Sequence, residues 1–517
     1  MTQISKKSIL KKTAEVGGAT LFSRIMGLLR VSLMSQYLGV GLESDAFLVA
    51  YKIPNFLRKI FAEGALSAAF IPSVVDLVFK EGKDASSKLM TLAFIFFEGV
   101  LALICILMAT QARNVLLFAA PGFQEQIDIA VPFLQVLSPF IFFISCSALL
   151  KSSLESVNKF FVPAITPVLM NLIIVSSLIL AIKFSWPTIY ICYAFLGAAF
   201  MQFAFHLIAY FKNGFSFLKP NKSSLYHMHG VLKRFLPVLI GMSIMEINLF
   251  IDTRFASSLP GGSYTLIEYA SRFMGIPLGV FATAFATILF PHFGKVANYA
   301  PRRLMFYLFE ATKIIVWIML PITWMMAFFA KDIFATLMFK AKDLIYVDQA
   351  AQVLWALLAG LIFFSLNKII LNIYYTIKAN WLSVWVLVVA TILNVILNQF
   401  FMKLMGAPGL ALATSISALF QTVCLCYLLK KFYGFLFPVK KYCLAFSQII
   451  VNNLLIMPIF FGSYFTIKNI IIGYKLEQAL LHSIFLWVWL IPFCLTVALI
   501  YFLLRPFTKL KIHFLDN

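Results

Sequence analysis

The chain has 517 residues, of which 62% are hydrophobic and only 12% charged, with a formal net charge of +22 at pH 7. A soluble domain carries about 25% charged residues, so a soluble globular fold is excluded, and long unbroken apolar runs exclude the alternating code of a membrane β-barrel. What remains is an all-α, polytopic membrane protein, since helices satisfy their own backbone groups in lipid. The basic excess lies mainly in short loops, where it reads as a positive-inside signal and not as a nucleic-acid surface. No nucleic-acid partner is expected.

Apolar runs of about 18 residues or more recur along the sequence and predict about fourteen spans. They cover 13–38, 46–79, 89–110, 130–155, 160–182, 188–211, 231–257, 264–296, 304–329, 349–376, 381–403, 408–430, 441–467 and 479–504. Lys6, Lys7, Lys11 and Lys12 precede the first, and Arg24 and Arg30 lie within it. A signal-peptide core does not tolerate such charges, and no small-residue cleavage site follows, so no removable signal is expected. The second and eighth spans are too long for one straight crossing. Pro54 and Pro277 lie inside them, and each predicts a bend or break.

Loop charges alternate with this count. Lys80, Lys83 and Lys88, then Lys151 and Lys159, then Lys212, Lys219, Lys222, Lys233 and Arg234 fall on the face of the N-terminus. So do Lys295, Arg302 and Arg303, then Lys430, Lys431, Lys440 and Lys441, then Arg505, Lys509 and Lys511. The opposite loops are short or mix signs, as in Lys340, Lys342, Asp343 and Asp348. Both termini are expected on the cytoplasmic side of an inner membrane.

A faint repeat recurs at an offset of about 220 residues. Lys52 aligns with Arg272, Phe61-Ala62 with Phe281-Ala282, Phe143 with Phe363, and Gly214-Phe215 with Gly434-Phe435. An even number of spans per repeat gives both halves one orientation. The predicted organisation is a lobe of six helices over 1–220, a second over 221–440, and two extra helices over 441–517. In such a transporter the substrate path runs between the lobes.

Several charges fall inside apolar runs. Arg24 and Arg30 lie in the first span, and Lys52, Arg58, Lys59 and Glu63 in the second. Each cation at mid-bilayer costs about 2.5–3.5 kcal/mol, so four together cost about as much as a domain's whole stability. A water-filled cavity is the expected setting. Lys52, Asn55, Lys59 and Glu63 follow a helical stripe. Lys59 and Glu63 are alternatively a simple i, i+4 pair, and Arg30 alternatively snorkels to the headgroups. In the second half Arg272 is read as the comparable cation, with Glu268 one turn earlier as an alternative structural partner. A cationic cavity calls for an anion, and guanidinium forks suit diphosphate.

A second constellation is polar and uncharged apart from Asp252. Asp252 lies in the seventh span, Asn394 and Asn398 in the eleventh, and Thr414 in the twelfth. One carboxylate, two amides and a hydroxyl suit a hard monovalent cation such as Na⁺. Equally, amides and hydroxyls serve as interhelical glue. The seven cysteines form no CxxC pair and read as packing residues. The six histidines are scattered and no acidic DDxxD-like cluster occurs, so a polyprenyl-phosphate enzyme is disfavoured. No catalytic residue or other cofactor is expected.

Phe22-Ser23-Arg24-Ile25-Met26-Gly27-Leu28-Leu29-Arg30 resembles the start of the MurJ/MviN lipid II flippases. So do Ser44-Asp45-Ala46-Phe47 with Lys52-Ile53-Pro54-Asn55-Phe56-Leu57-Arg58-Lys59-Ile60-Phe61-Ala62-Glu63-Gly64-Ala65, and Tyr269-Ala270-Ser271-Arg272 with Pro277-Leu278-Gly279-Val280-Phe281. The resemblance covers essentially the whole chain. It implies the fold of the multidrug/oligosaccharidyl-lipid/polysaccharide exporter superfamily. It implies outward translocation of undecaprenyl-diphosphate disaccharide-pentapeptide for peptidoglycan, by a single-chain monomer among membrane lipids. It implies substrate-binding roles for Arg24, Arg30, Arg58, Arg272 and Asp45, and a lipid-tail groove formed by the last two helices. It also supports Na⁺ among the helices bearing Asp252, Asn394, Asn398 and Thr414. The sequence departs from the pattern at Val31 and Ser271, where the family often has acidic or amide residues. Another polyprenyl-linked oligosaccharide flippase, or a cation-coupled exporter of the same superfamily, is the alternative reading.

Overall fold

The structure is a computed structural model that describes residues 22–23, 26–61, 66–157, 159–299, 303–435, 437–473 and 485–508. Its described residues form helices without a strand, and they divide into two compact units that meet in sequence at Thr265 and Leu266.

In the first unit, α1 covers 26–38 and α2 Leu42–Arg58, followed by α3 Leu66–Glu81. Then α4 Lys83–Ala93 runs through a π-helical turn, Phe94–Glu98, into α5 Gly99–Thr110. After them come α6 Ala112–Ala119, α7 Glu125–Leu137, α8 Phe140–Ser156, α9 Phe161–Phe184, α10 Thr188–Lys212 and α11 Lys222–Ala256. Local chemistry sets the ends. Asn221 caps α11: its Oδ1 accepts from Ser224 N at 2.9 Å, while its own N–H donates to Ser224 Oγ at 2.9 Å, a reciprocal capping pair. A left-handed Ser185 (φ 52°) closes α9, and Pro187 precedes α10.

One core of this unit joins Phe70 of α3, Met90 of α4, Leu150 of α8, Tyr210 of α10 and Phe235 of α11. A second, aromatic knot fixes α2. Phe47 and Tyr51, one turn apart, stack at 6.2 Å; Phe47 meets Phe133 of α7 at 6.2 Å and Tyr51 meets Phe195 of α10 at 4.9 Å. With that face anchored, Lys52, Asn55 and Lys59 are presented on another.

The second unit takes in most of α12 (Ser263–Pro277), a π-helical segment Leu278–Thr283, α13 Ala284–Tyr299 and α14 Leu304–Phe328. It continues through α15 Ala330–Ile333, α16 Val347–Leu358, α17 Leu361–Thr376, α18 Asn380–Met405, α19 Ala407–Tyr433, α20 Val439–Gly473 and α21 Leu486–Leu503. Gly434, at φ 66°, supplies the left-handed stop after α19. Polar and aromatic contacts tie α20 and α21 to α14. Trp324 Nε1 donates to Asn453 Oδ1 at 3.1 Å, Asn453 Nδ2 donates to Tyr501 Oη at 2.9 Å, and Tyr501 Oη donates to the Trp317 carbonyl at 3.0 Å. Phe328, Phe460 and Tyr464 pack around that network.

Among the described residues, eleven helices are long and apolar enough to cross a bilayer, and they coincide with eleven of the expected spans. The expected spans outside that set are 13–38, 46–79 and 231–257. Their described parts are helical as α1, α2 with α3, and α11, and they carry Arg30, Lys52, Arg58, Lys59, Glu246 and Asp252. Pro277 marks the expected interruption, because α12 ends there and turns π-helical. Pro54 does not: α2 continues through it to Arg58, and the π-helical turn comes at 59–61. A membrane helix tolerates an interior proline where neighbouring groups satisfy the freed carbonyl.

Asn453→Ala removes both side-chain bonds in the α14–α20–α21 network. It should lower stability by about 1–2 kcal/mol, at the upper range for interhelical hydrogen bonds in membranes. Unfolding of the detergent-solubilised protein by steric trapping measures this, and an unchanged stability would show that aromatic packing alone docks the last two helices.

Candidate functional site

The first-unit cations occupy defined positions. Arg24 and Glu63 lie outside the described residues. Arg30 does more than snorkel, since its Nη1 donates to Asn171 Oδ1 of α9 at 3.0 Å. Asn171 Nδ2 in turn donates to the Ser23 carbonyl and to Ser23 Oγ, both at 3.2 Å. One amide therefore ties the start of the chain to α9 and aims the guanidinium, which also lies 5.9 Å from the Phe195 ring centre. One turn before Arg30, nothing lies within 4 Å of where a Cβ on Gly27 would be, so that helix face opens onto space.

On α2, Lys52 Nζ sits over the Tyr264 ring at 5.2 Å, and Arg58 Nε donates to Asn55 Oδ1 at 3.0 Å. Lys59 pairs across helices: its Nζ lies 3.1 Å from Glu246 Oε2 on α11. Glu246 is a carboxylate that sequence reasoning passed over. Its signal was an acid inside the seventh apolar run, like Asp252 six residues on, but its partner lies 187 residues away.

Asp45 is 1% exposed and its oxygens are engaged. Oδ2 accepts from Gly262 N at 2.6 Å, while Oδ1 accepts from Thr265 N at 2.9 Å and from Thr265 Oγ1 at 2.6 Å. Gly262 and Thr265 bracket the first turn of α12, where backbone N–H groups have no partner inside the helix. The carboxylate thus caps a helix from another element, and its charge favours that helix's positive end. The approach needs glycine. Gly262 has φ +88°, and a Cβ there would come 2.7 Å from Val40 Cγ1. A second close approach adjoins it: Gly122 N donates to Ser257 Oγ at 3.1 Å, and a Cβ on Gly122 would come 2.4 Å from the Ser257 carbonyl oxygen. Residues 39–45 and 118–123 are thereby locked to residues 254–265.

In the second unit Arg272 is half-buried on α12, and it makes no hydrogen bond or ion pair among the described residues, Glu268 included. Gly275 and Gly279 follow it on the same side, and a Cβ at either would meet nothing within 4 Å. Arg272 is not the one intramembrane cation of its unit. Lys368 is half-buried midway along α17 and likewise makes no ion pair among the described residues. Lys313 is buried on α14, 2.6 Å from Glu310.

The residues expected to hold Na⁺ divide between the units, with Asp252 on α11 of the first and Asn394, Asn398 and Thr414 on α18 and α19 of the second. The latter three form a relay. Asn398 Nδ2 donates to Asn394 Oδ1 at 3.0 Å, Asn394 Nδ2 to Thr414 Oγ1 at 3.4 Å, and Thr414 Oγ1 to the Leu410 carbonyl at 3.0 Å. Two oxygens that would ligate a cation already accept hydrogen bonds, and this trio has no carboxylate. Amides and a hydroxyl joined in this way tie α18 to α19. Among the described residues no group of three His, Cys, Asp or Glu is placed to hold a metal.

Asp45→Ala should expose the Gly262 and Thr265 amides, which will exchange with deuterium faster. Asp45→Asn keeps an acceptor and should lie between. The cost in stability should be about 0.5–2 kcal/mol, as for a lost helix cap. Unchanged exchange in Asp45→Ala would show that the junction holds without the carboxylate.

Comparison with known proteins gives this geometry a context. Residues 34–486 match the family described as lipid II flippase MurJ. A probable lipid II flippase MurJ of Buchnera aphidicola subsp. Schizaphis graminum is 30% identical over 421 residues, covering 80% of this chain and 81% of that protein. A solved lipid II flippase MurJ in an inward closed conformation superposes with a TM-score of 0.75 at 27% identity, over 96% of this chain and 97% of that one. An inward-facing MATE family multidrug transporter of the MOP superfamily superposes with a TM-score of 0.67 at 16% identity, over 83% of this chain and 95% of that one, and shares the fold alone. The chain is a membrane protein of the MurJ family of lipid II flippases.

Proposed function

We propose that this protein flips undecaprenyl-diphosphate disaccharide-pentapeptide from the cytoplasmic to the outer leaflet of the inner membrane, supplying peptidoglycan synthesis. The observation that carries the reading is a set of guanidinium groups inside membrane helices of a MurJ-family chain. Arg30 is aimed by an amide, and Arg272 makes no ion pair among the described residues, beside glycines whose Cβ positions meet nothing within 4 Å. An unoccupied buried cation is costly, so an anionic ligand is the natural complement. Forked donors hold the two phosphates of a diphosphate better than point charges do. Arg24, Arg30, Lys52, Asn55, Arg58 and Arg272 are the residues assigned to the headgroup. Asp45 and Glu63 are assigned to organising it, Asp45 through its cap on α12. The last two helices are assigned to the lipid tail.

Translocation follows as alternating access by one chain, with both termini cytoplasmic and the lobes 1–220 and 221–440 moving against each other. The junction of residues 39–45 with residues 254–265 is one that must open for release on the outer side. No step of this cycle is assigned to Na⁺.

Arg24→Ala, Arg58→Ala and Arg272→Ala should each abolish growth support in a depletion strain while leaving membrane insertion intact. Arg24→Lys should restore part of it, because the charge remains and the fork is lost. Full complementation by Arg272→Ala would remove the diphosphate assignment. A cysteine pair at Leu42→Cys and Gly261→Cys, whose side chains would nearly touch, should crosslink under oxidation and stop flipping in vesicles until reduced. Complete crosslinking with undiminished flipping would exclude opening at this junction.

A further inference from the structure

The second unit encloses an apolar cavity of about 300 Å³ that the transport reading leaves unused. Its walls include Leu308 of α14, Ile370 of α17, Cys426 of α19, and Val439, Tyr442 and Phe446 of α20, and α21 contributes none. It is therefore not a cleft between the last two helices. Tyr442, one of the lining residues, packs edge-on against Phe309 at 4.5 Å. Val439, 68% exposed, stands at the mouth. An apolar cavity of about 150 Å³ in a protein core stays dry and takes up benzene. A space twice that size in a membrane protein accepts a length of hydrocarbon chain.

The rim indicates what carries that chain. The cavity lies near the start of α14, the ends of α17 and α19 and the start of α20, so these helix ends share one membrane face. Lys430 and Lys431 end α19, while Lys440 and Lys441 begin α20, all exposed, and residues 427–446 include no acid. Exposed Lys378 follows the end of α17. Two lysines in the first turn of a helix oppose its macrodipole, a placement that a bound anion reverses. Lysine offers mobile point charge, which suits a single phosphate, whereas the transported diphosphate is matched by arginine forks.

We infer that an acyl chain of an anionic phospholipid from the surrounding bilayer fills this cavity, with its headgroup phosphate on Lys430, Lys431, Lys440 and Lys441. Lipid tails are as apolar as leucine, so the chain gains mainly van der Waals contact from entering. Selectivity for this lipid comes from the lysines. The site would anchor the α19–α20 connection to an anionic leaflet.

The test uses the full chain in phosphatidylcholine nanodiscs, with a trace of phosphatidylglycerol carrying a diazirine on its acyl chain. After irradiation, crosslinks should map to peptides spanning Thr422–Phe446. Unlabelled phosphatidylglycerol should compete and added phosphatidylcholine should not. Lys440→Gln with Lys441→Gln, a surface change that leaves the cavity intact, should reduce labelling about thirtyfold. Leu308→Trp should block it by filling the cavity. Labelling elsewhere only, equal competition by phosphatidylcholine, or undiminished labelling of the lysine variant would overturn the inference. Competition by undecaprenyl diphosphate alone would also overturn it, and would assign the cavity to the transported lipid. Flipping is not read in this experiment, so its failure leaves the flippase reading untouched.

Discussion

An ionised side chain inside a bilayer must meet water, a counter-charge or a hydrogen-bonding group, because hydrocarbon supplies none of them. That constraint organises this molecule. The segments too charged or too short in their described parts to count as ordinary spans are α1, α2 with α3, and α11, and between them they hold Arg30, Lys52, Arg58, Lys59, Glu246 and Asp252. The Lys59–Glu246 bridge answers one of these charges with another across two helices. The Lys313–Glu310 pair does the same within α14. Arg272 and Lys368 stand apart, since the described protein gives neither a counter-charge. In a stable membrane protein such groups belong where water or a ligand reaches them.

The same demand applies to backbone. The first N–H groups of a helix need acceptors, and for α12 they come from Asp45, a residue 220 positions away. The carboxylate therefore does two jobs at once. It satisfies orphan donors, and it ties α2 to the start of α12. Glycines at positions 122 and 262 allow the backbones to close around it. This junction is built from a few hydrogen bonds and two glycine contacts, unlike the aromatic packing that fixes α20 and α21 against α14.

Much of this was legible in the sequence, and the exceptions share a cause. Unbroken apolar runs locate eleven of the expected spans, with ends off by several residues and with 130–155 and 349–376 each divided into two helices, and Pro277 marks the interruption after α12. Charges inside those runs pointed to Arg30, Lys52, Arg58 and Arg272 as unusual. What a linear pattern cannot supply is the partner from a distant helix. Lys59 was read against Glu63, four residues on, and its bond runs instead to Glu246. The triplet Asn394, Asn398 and Thr414 reads in sequence as a set of cation ligands, and only its three-dimensional arrangement shows Asn394 Oδ1 and Thr414 Oγ1 accepting hydrogen bonds within the set. Lys368 was passed over because one lysine in an apolar run resembles many harmless ones until its surroundings are known.

The partners also rank the cations by how readily each turns to a ligand. A carboxylate binds a cation through a charge-assisted bond roughly twice as strong as a neutral one. Lys59, held by Glu246, is therefore less available to an incoming phosphate than it would be without that carboxylate. For Arg30 and Arg58 the described residues supply amides, Asn171 and Asn55, as hydrogen-bond acceptors. A phosphate oxygen carries full charge where an amide oxygen carries only a dipole, so exchange of the amide for the phosphate runs in the ligand's favour. Among the described residues Arg272 makes no hydrogen bond that an incoming anion would have to displace. An amide that accepts from a guanidinium fixes the direction of the fork, as Asn171 does for Arg30 and Asn55 for Arg58, and a fork held in one direction meets an incoming anion with less left to order.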